Sequence, residues 1–284
     1  MTLPQFNDLK GKTCVITGGA GILGQAMSRA LAASGVKLVL LGRDQAKAEQ
    51  FAREISAQFN IQASGYACNV LDQATLEQVA DRIQTEFGSI DLLINAAGGN
   101  DPSSVSELEQ LNPQADGSYN LTGSFFDMKS EGFDKVFGTN FTGTLLPCKV
   151  FAKHMVGRGG AILNVSSVSA IRPLTKVCAY SAAKAAVTNF TQWLAVHLAP
   201  ANVRVNALVP GFFLTEQNRF LLTDEKTGKL TKRGQKVISA TPMGRFGEPE
   251  ELGPMVLFLL SSAASFMTGA IIPVDGGLTA YGGI

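Results

Sequence analysis

The feature that most constrains this chain is the alternation of short apolar runs with longer helical patterns. The runs "KTCVITGG", "KLVLLG", "ASGYACNV", "IDLLINAAGG", "GGAILNVSS", "NVRVNALVPG" and "AIIPVDGG" are rich in Val, Ile and Leu and end in turn formers. Strands buried on both faces read as such runs, and each parallel crossover needs a helix's length of chain between them. The pattern predicts an α/β fold with roughly seven parallel strands in a doubly wound sheet and helices on both faces.

No linker divides the pattern, so residues 1–284 are expected to form a single domain. Two segments break its rhythm. Near 99–125, "NDPSSVSELEQLNPQADGSYNLTGS" is rich in turn formers and reads as a loop insertion. Near 212–247, after a Pro-Gly turn, Phe and Leu mix with charged residues, which reads as a lid over a substrate.

Composition excludes several classes. Hydrophobic residues make up 45% and charged ones 17%, enough for a sizeable core, and 24 basic against 23 acidic residues give a net charge of +1. That balance argues against nucleic-acid and membrane-surface partners, so any anion recognition must be local. Neither an N-terminal apolar region nor a bilayer-length apolar run is present, and the expected location is cytoplasmic. Cys14, Cys68, Cys148 and Cys178 lack metal-ligand spacing, so no metal site is expected and buried thiols are the preferred reading.

The first apolar run passes into Thr17-Gly18-Gly19-Ala20-Gly21-Ile22-Leu23-Gly24 and then a helical pattern. Gly19, Gly21 and Gly24 satisfy G-x-G-x-x-G, which here brings backbone N–H groups against a dinucleotide pyrophosphate at a helix N-terminus. The fold is therefore a Rossmann fold, with NAD(H) or NADP(H) as the expected cofactor. After the second run comes Gly42-Arg43-Asp44. Arg43 suits a 2′-phosphate and Asp44 a ribose hydroxyl, but Asp44 can instead cap the next helix, which tilts the reading slightly toward NADP(H).

In "AYSAAKAA", Tyr180 and Lys184 are four residues apart, so a helix stacks both heads on one face. A tyrosine and a lysine at this spacing recur by chance, and the small residues Ala182, Ala183 and Ala185 fit either close packing beside a cofactor or simple helix propensity. A free phenol has a pKa of about 10, and a nearby cation lowers it by about 1 to 3 units. Lys184 is expected to supply that cation. His154 and His197 read as helix-surface or interface groups, and Phe190, Trp193 and Leu194 as core or subunit packing.

From about Gly11 onward the chain resembles the short-chain dehydrogenase/reductases, carrying several of their motifs in order. The glycine turn is followed by "NAAG" at Asn95 to Gly98, Asn140 in "FGTNFTG", Ser167 in "NVSSVS", Tyr180 with Lys184, and Pro210-Gly211. The resemblance implies that Tyr180 exchanges the hydroxyl proton while Ser167, 13 positions earlier and so favoured over Ser166, hydrogen-bonds the carbonyl oxygen. It implies that Lys184 holds the nicotinamide ribose and that Asn140 binds water behind it as a proton relay. The cofactor would further meet Gly18, Gly19, Gly21, Ile22, Leu23 and Gly24, then Arg43, Asn69 and Val70. Asn95, Ala96, Ala97 and Gly98, and Pro210, Gly211 and Thr215, complete the implied contacts. Two positions depart from the pattern: Ile22 replaces a glycine, and Asn69 stands where the family often has Asp.

"NAAGGN", "IRPLTK", "PGFFLTEQNR", "TPMGRFGEPEEL" and "VDGGLTAYGG" are similar to the D-mannonate oxidoreductase (fructuronate reductase) subgroup of that family. That similarity implies interconversion of a secondary alcohol and a ketone on a sugar acid, most specifically D-mannonate and D-fructuronate, in a homo-dimer or homo-tetramer. A planar guanidinium suits the acid's carboxylate. Arg172, between Ser167 and Tyr180, is the first choice, with Lys176, Asn218 and Arg219 as weaker candidates. By position alone Arg172 reads equally well as a surface arginine paired to an acid. The alternatives are a reductase of 3-oxoacyl thioesters or sugar alcohols, and a silent nucleotide-binding regulator, against which the intact Ser167, Tyr180 and Lys184 speak.

Overall fold

The computed structural model describes residues 6–215, 219, 221–224 and 227–283. Seven strands are formed: β1 (Thr13–Thr17), β2 (Lys37–Gly42), β3 (Ala63–Ala67), β4 (Leu92–Asn95), β5 (Gly160–Val165), β6 (Val203–Pro210) and β7 (Ile271–Val274). They make one parallel sheet in the order β3-β2-β1-β4-β5-β6-β7. The chain winds outward in one direction from β1 to β3 and in the other from β4 to β7. A crevice therefore opens where Thr17 pairs with Asn95, at the carboxyl ends of β1 and β4.

Period-two alternation sends neighbouring strand residues to opposite layers. Ile16, Leu38, Leu40 and Ile94 pack with Met27 and Leu31 of α1 (Ile22–Ala33) and Phe51 and Ile55 of α2 (Gln45–Phe59). Val15, Val39 and Leu93 face Leu76 and Ile83 of α3 (Gln73–Phe87) on the other side. Every residue of β1 is buried, as a sheet covered on both faces requires. Asp44 and Asp72 start α2 and α3 by accepting hydrogen bonds from Lys47 N and Thr75 N, and Gly88 ends α3 at φ +79°.

Further on, α4 (Ser130–Phe137) passes through a π-helical turn (Gly138–Thr142) into α5 (Gly143–Phe151). The longest helix among the described residues, α6 (Cys178–Leu198), begins two residues before Tyr180 and ends one after His197. It carries Tyr180 and Lys184 as the i, i+4 pair the sequence predicts. The alanines behave otherwise: Ala179 and Ala183 pack on Val136 of α4, whereas Ala182 and Ala185 are exposed. With about 100° between successive helical residues, neighbours of a site residue face other directions, so these alanines do not line the cleft.

The 99–125 segment is a largely exposed, turn-rich loop containing a 3-10 turn (Pro102–Ser104) and a bridge between Pro113 and Tyr119. The 212–247 segment contains α7 (Lys232–Ser239), capped by Thr231, whose hydroxyl accepts from Gly234 N at 3.1 Å. A last helix, α8 (Gly253–Leu260), covers the sheet beside α1. Among the described residues, no helix is long and apolar enough to cross a membrane, and no three His, Cys, Asp or Glu side chains cluster as a metal site.

Candidate active site

The carboxyl ends of β1, β4, β5 and β6 surround a cleft of about 410 Å³ lined by Gly18, Gly21, Ile22, Leu23, Gly24, Ala96, Gly98, Gly99, Ser167, Tyr180, Lys184, Pro210, Gly211 and Thr215. At its floor the glycine turn reverses the chain. Gly18 stands at φ +66°, and Gly21 N donates to its carbonyl at 2.8 Å. A Cβ on Gly24 would collide with that same carbonyl. Ile22 replaces a glycine without upsetting the turn, because it is the first residue of α1 and needs only helical geometry. No side chain caps α1, so its first N–H groups remain available to an anion. That uncapped, glycine-walled end fits a dinucleotide pyrophosphate.

Thr17 ties the next wall in place: its buried hydroxyl accepts from Ala96 N and Ala97 N, each at 3.2 Å. Gly98 follows, and a Cβ there would meet Asn140 Oδ1 at 2.7 Å and Lys184 Nζ at 3.2 Å. Its bareness makes room for both side chains, of which Lys184 lines the cleft and Asn140 stays buried behind it. Asn140, fully buried in the π-helical turn, donates through Nδ2 to Gly99 O at 2.7 Å and to Val136 O at 2.8 Å. It thus fixes the strap after β4 to α4.

Ser167 follows β5 and begins a 3-10 turn (Val168–Ala170), its hydroxyl accepting from Ser169 N at 3.2 Å. Its hydroxyl also acts on Tyr180, drawing the phenol's pKa down. Ser166 is occupied elsewhere, donating to Lys184 O at 3.1 Å and meeting Thr188 Oγ1 at 2.9 Å. The structure therefore separates two adjacent serines, one facing Tyr180 and one locking β5 to α6. Lys184, 3% exposed, donates to Val165 O at 2.8 Å.

Burial pushes the Tyr180 phenol above its ordinary pKa, while the Ser167 hydrogen bond pulls it down. Burial also lowers Lys184 to about 8. The expectation that Lys184 would depress Tyr180 is not met by the side chains alone. The ammonium turns to the Val165 carbonyl, and desolvation outweighs the remaining influences on the phenol.

Several residues named from the sequence lie outside the cleft. Asn95 is buried and donates to Asn164 Oδ1 at 2.8 Å and Cys148 Sγ at 3.1 Å, a bracing role between β4, β5 and α5. Gly19 faces inward, where a Cβ would press on Leu40, and Ala97, Asn69 and Val70 do not line the cleft. Asn69 is exposed, and its Oδ1 already accepts from Leu71 N at 3.1 Å. Asp44 caps α2, leaving Arg43 exposed and without an ion pair among the described residues.

Arg172 and Lys176 line a second cavity of about 490 Å³, which shares Phe212 with the cleft. Arg172 Nη1 donates to Leu278 O at 3.3 Å, so it does not pair with a surface acid. Arg219 is exposed and lines neither cavity, and Asn218 lies outside the described residues. Sequence reasoning missed Phe212 and the cations of α7, Lys232, Arg233 and Lys236, which also line this cavity. Their signal was present in "LTKRGQK", a dense basic run inside an otherwise mixed segment.

The remaining groups are peripheral. His154 Nδ1 meets Gln84 Nε2 at 3.3 Å, and His197 stacks on Trp193 at 4.9 Å on the outer face of α6. Of its helical set Leu194 is core and Phe190 packs against that core, whereas Trp193 is 59% exposed. Cys14, Cys68 and Cys148 are buried thiols, and Cys178 is partly exposed.

A crevice at the switch point, an open helix N-terminus beneath it, and a serine, tyrosine and lysine converging above it define a nicotinamide-dependent oxidoreductase. Comparison with known proteins agrees. A family model described as enoyl-(acyl carrier protein) reductase matches residues 18–279, and the chain belongs to the short-chain dehydrogenase/reductase family. It is 47% identical to "Uncharacterized oxidoreductase UxuB" of Bacillus subtilis, over 99% of this chain and 100% of that one. A crystal structure with bound NAD, named a "putative D-Mannonate oxidoreductase" from Haemophilus influenza, is 42% identical with TM-score 0.91, covering 99% of this chain and 100% of that one. A gluconate 5-dehydrogenase from Burkholderia cenocepacia, in complex with NADP and tartrate, is 28% identical with TM-score 0.80, over 96% and 97% of the two chains.

Proposed function

We propose that the protein interconverts a sugar acid and its keto form, with D-mannonate and D-fructuronate as the pair. The observation that carries this reading is the shared wall at Phe212, which joins the Ser167–Tyr180–Lys184 cleft to a cavity lined by Arg172 and Lys176. A hydroxyl can then sit at Tyr180 while a carboxylate several carbons away meets a cation. The names of the two structural neighbours, a mannonate oxidoreductase and a gluconate dehydrogenase, support the same substrate class.

A bound nicotinamide supplies or accepts the hydride. The residues of this chain manage the proton and the geometry. Ser167 donates to the substrate oxygen and orients it, and Tyr180 takes the hydroxyl proton during oxidation or returns it during reduction. Lys184 and the uncapped α1 N-terminus would hold the ribose and pyrophosphate, and the charge of an oxidised nicotinamide would add to the pull that Ser167 exerts on the phenol. Asn140, by fixing Gly99 and standing beside Lys184, would position a water in the relay that the family implies.

Arg43, unpaired where Asp44 is committed to a cap, supports a lean toward NADP(H). The exposed Trp193 and Val196 on α6 support a homo-dimer or homo-tetramer, and the 212–247 segment, by lining both cavities, serves as the substrate lid. The deciding experiment is cofactor turnover with D-mannonate, D-gluconate, a neutral sugar alcohol and a 3-oxoacyl thioester. Preference for either of the last two would remove the sugar-acid assignment.

A further inference from the structure

The second cavity carries more positive charge than one carboxylate requires. Arg172 and Lys176, from the segment after Ser167, and Lys232, Arg233 and Lys236 of α7 all line it. One acid, Glu109 from the 99–125 loop, lines it too, and it is taken by Lys236 at 2.9 and 3.0 Å. Lys176, Lys232 and Arg233 make no ion pair or side-chain hydrogen bond among the described residues. Among the described residues Arg172 has only the Leu278 carbonyl, which the Asp275 turn presents.

The placement of the α7 cations also works against local stability. Lys232 and Arg233 occupy the first turn of the helix, where the macrodipole is already positive, and no acidic residue stands there to offset them. A planar carboxylate brings one charge and two acceptor oxygens. A phosphoryl group brings a charge of about −1.5 to −2 and three oxygens splayed in different directions, which suits several cations drawn from two segments of the chain.

We infer that this cavity is a dianion-selective subsite, holding the acidic end of the substrate through Arg172 and Lys176 and taking a phosphoryl group more tightly than a carboxylate through Lys232 and Arg233. Phosphorylated sugar acids, or free phosphate, then compete with the sugar-acid substrate. The inference rests on the sugar-acid reading for the identity of the competing substrate, and on the cavity alone for its charge preference.

The test is calorimetric binding of 6-phosphogluconate, gluconate, inorganic phosphate and sorbitol to the full chain saturated with reduced cofactor. The expected result is 6-phosphogluconate at least tenfold tighter than gluconate, with sorbitol weakest. The advantage should shrink to about twofold in Lys232→Gln/Arg233→Gln. Phosphate binding as tightly as the ester identifies the free ion as the ligand, and tighter binding of the ester identifies a phosphorylated sugar acid. Should the double variant not fold, the salt dependence in the wild type decides, since exposed cations are screened. The ester must then lose more affinity than gluconate between low and high salt. Equal affinity for ester and gluconate, an advantage that survives the double substitution, or equal salt dependence overturns the inference. Turnover of D-mannonate, measured alongside, reads the substrate assignment separately: its failure with the charge preference intact removes the reaction and leaves the subsite.

Discussion

The ammonium of Lys184 lies 5.7 Å from the centre of the Tyr180 ring, and it donates its hydrogen bond to the carbonyl of Val165, 2.8 Å away. The pair shares a helix face but not a hydrogen bond. Lys184 is thus anchored to β5, which holds α6 against the sheet, and Tyr180 is left to Ser167 on its other side. The proton-handling groups are set by two segments, the end of β5 and the start of α6, whose register is fixed by the Ser166, Lys184 and Thr188 contacts.

Tyr180→Phe should abolish turnover while leaving cofactor affinity within about twofold. The ring keeps its packing against the Val136, Ala179 and Ala183 cluster, and only the proton carrier is lost. Steady-state rates at saturating substrate and a fluorescence titration of the reduced cofactor check the two halves. Near wild-type turnover would remove the proton-transfer role.

Lys184→Met should stabilise the protein at neutral pH, even as it damages the site. Burial lowers Lys184 from an ordinary 10.5 to about 8, so below pH 8 the folded chain bears the full cost of a desolvated cation. Between about 8 and 10.5 the unfolded chain holds a proton that the folded chain has released, so wild-type stability rises relative to Met as pH increases. A shift of this size corresponds to roughly 3 kcal/mol, reduced by the lost bond to Val165. Urea unfolding of both proteins at pH 7 and pH 10 reads the difference. A gap that does not narrow with pH would show that Lys184 is not desolvated.

Arg43→Ala should weaken NADPH binding about tenfold and NADH binding little, because only the 2′-phosphate offers charge-assisted hydrogen bonds to the guanidinium. Titration of both reduced cofactors gives the ratio. Equal losses would place Arg43 beside the adenine ring instead, with no part in the choice of cofactor.

The sheet was legible because burial on both faces left its strands as apolar runs, and "KLVLLG" coincides with β2 from Lys37 to Gly42. Tyr180 and Lys184 were legible because helical spacing alone puts them on one face. Asn95 was not: its motif says that it matters, yet only the packing of β4 on β5 shows that its amide serves Asn164 and Cys148. The second cavity was half legible. Arg172 and Lys176 lie between matched landmarks, whereas Lys232 and Arg233 reach the same cavity from some 60 positions away through the fold of the 212–247 segment, which no local pattern encodes.

Arg172→Ala should lower kcat/KM for D-mannonate about tenfold and leave a neutral sugar alcohol within about twofold. The guanidinium is exposed, so solvent discounts its attraction for a carboxylate, and tenfold corresponds to about 1.4 kcal/mol, below what a fully desolvated anchor would lose. The same side chain also ties the C-terminal turn through its bond to Leu278 O. Arg172→Lys separates the two effects: it keeps the charge but loses the planar fork, so it should recover part of the loss on the acid. Equal losses on acid and alcohol would mean that Arg172 positions the turn. No loss on either would return the carboxylate to Lys176 and the cations of α7.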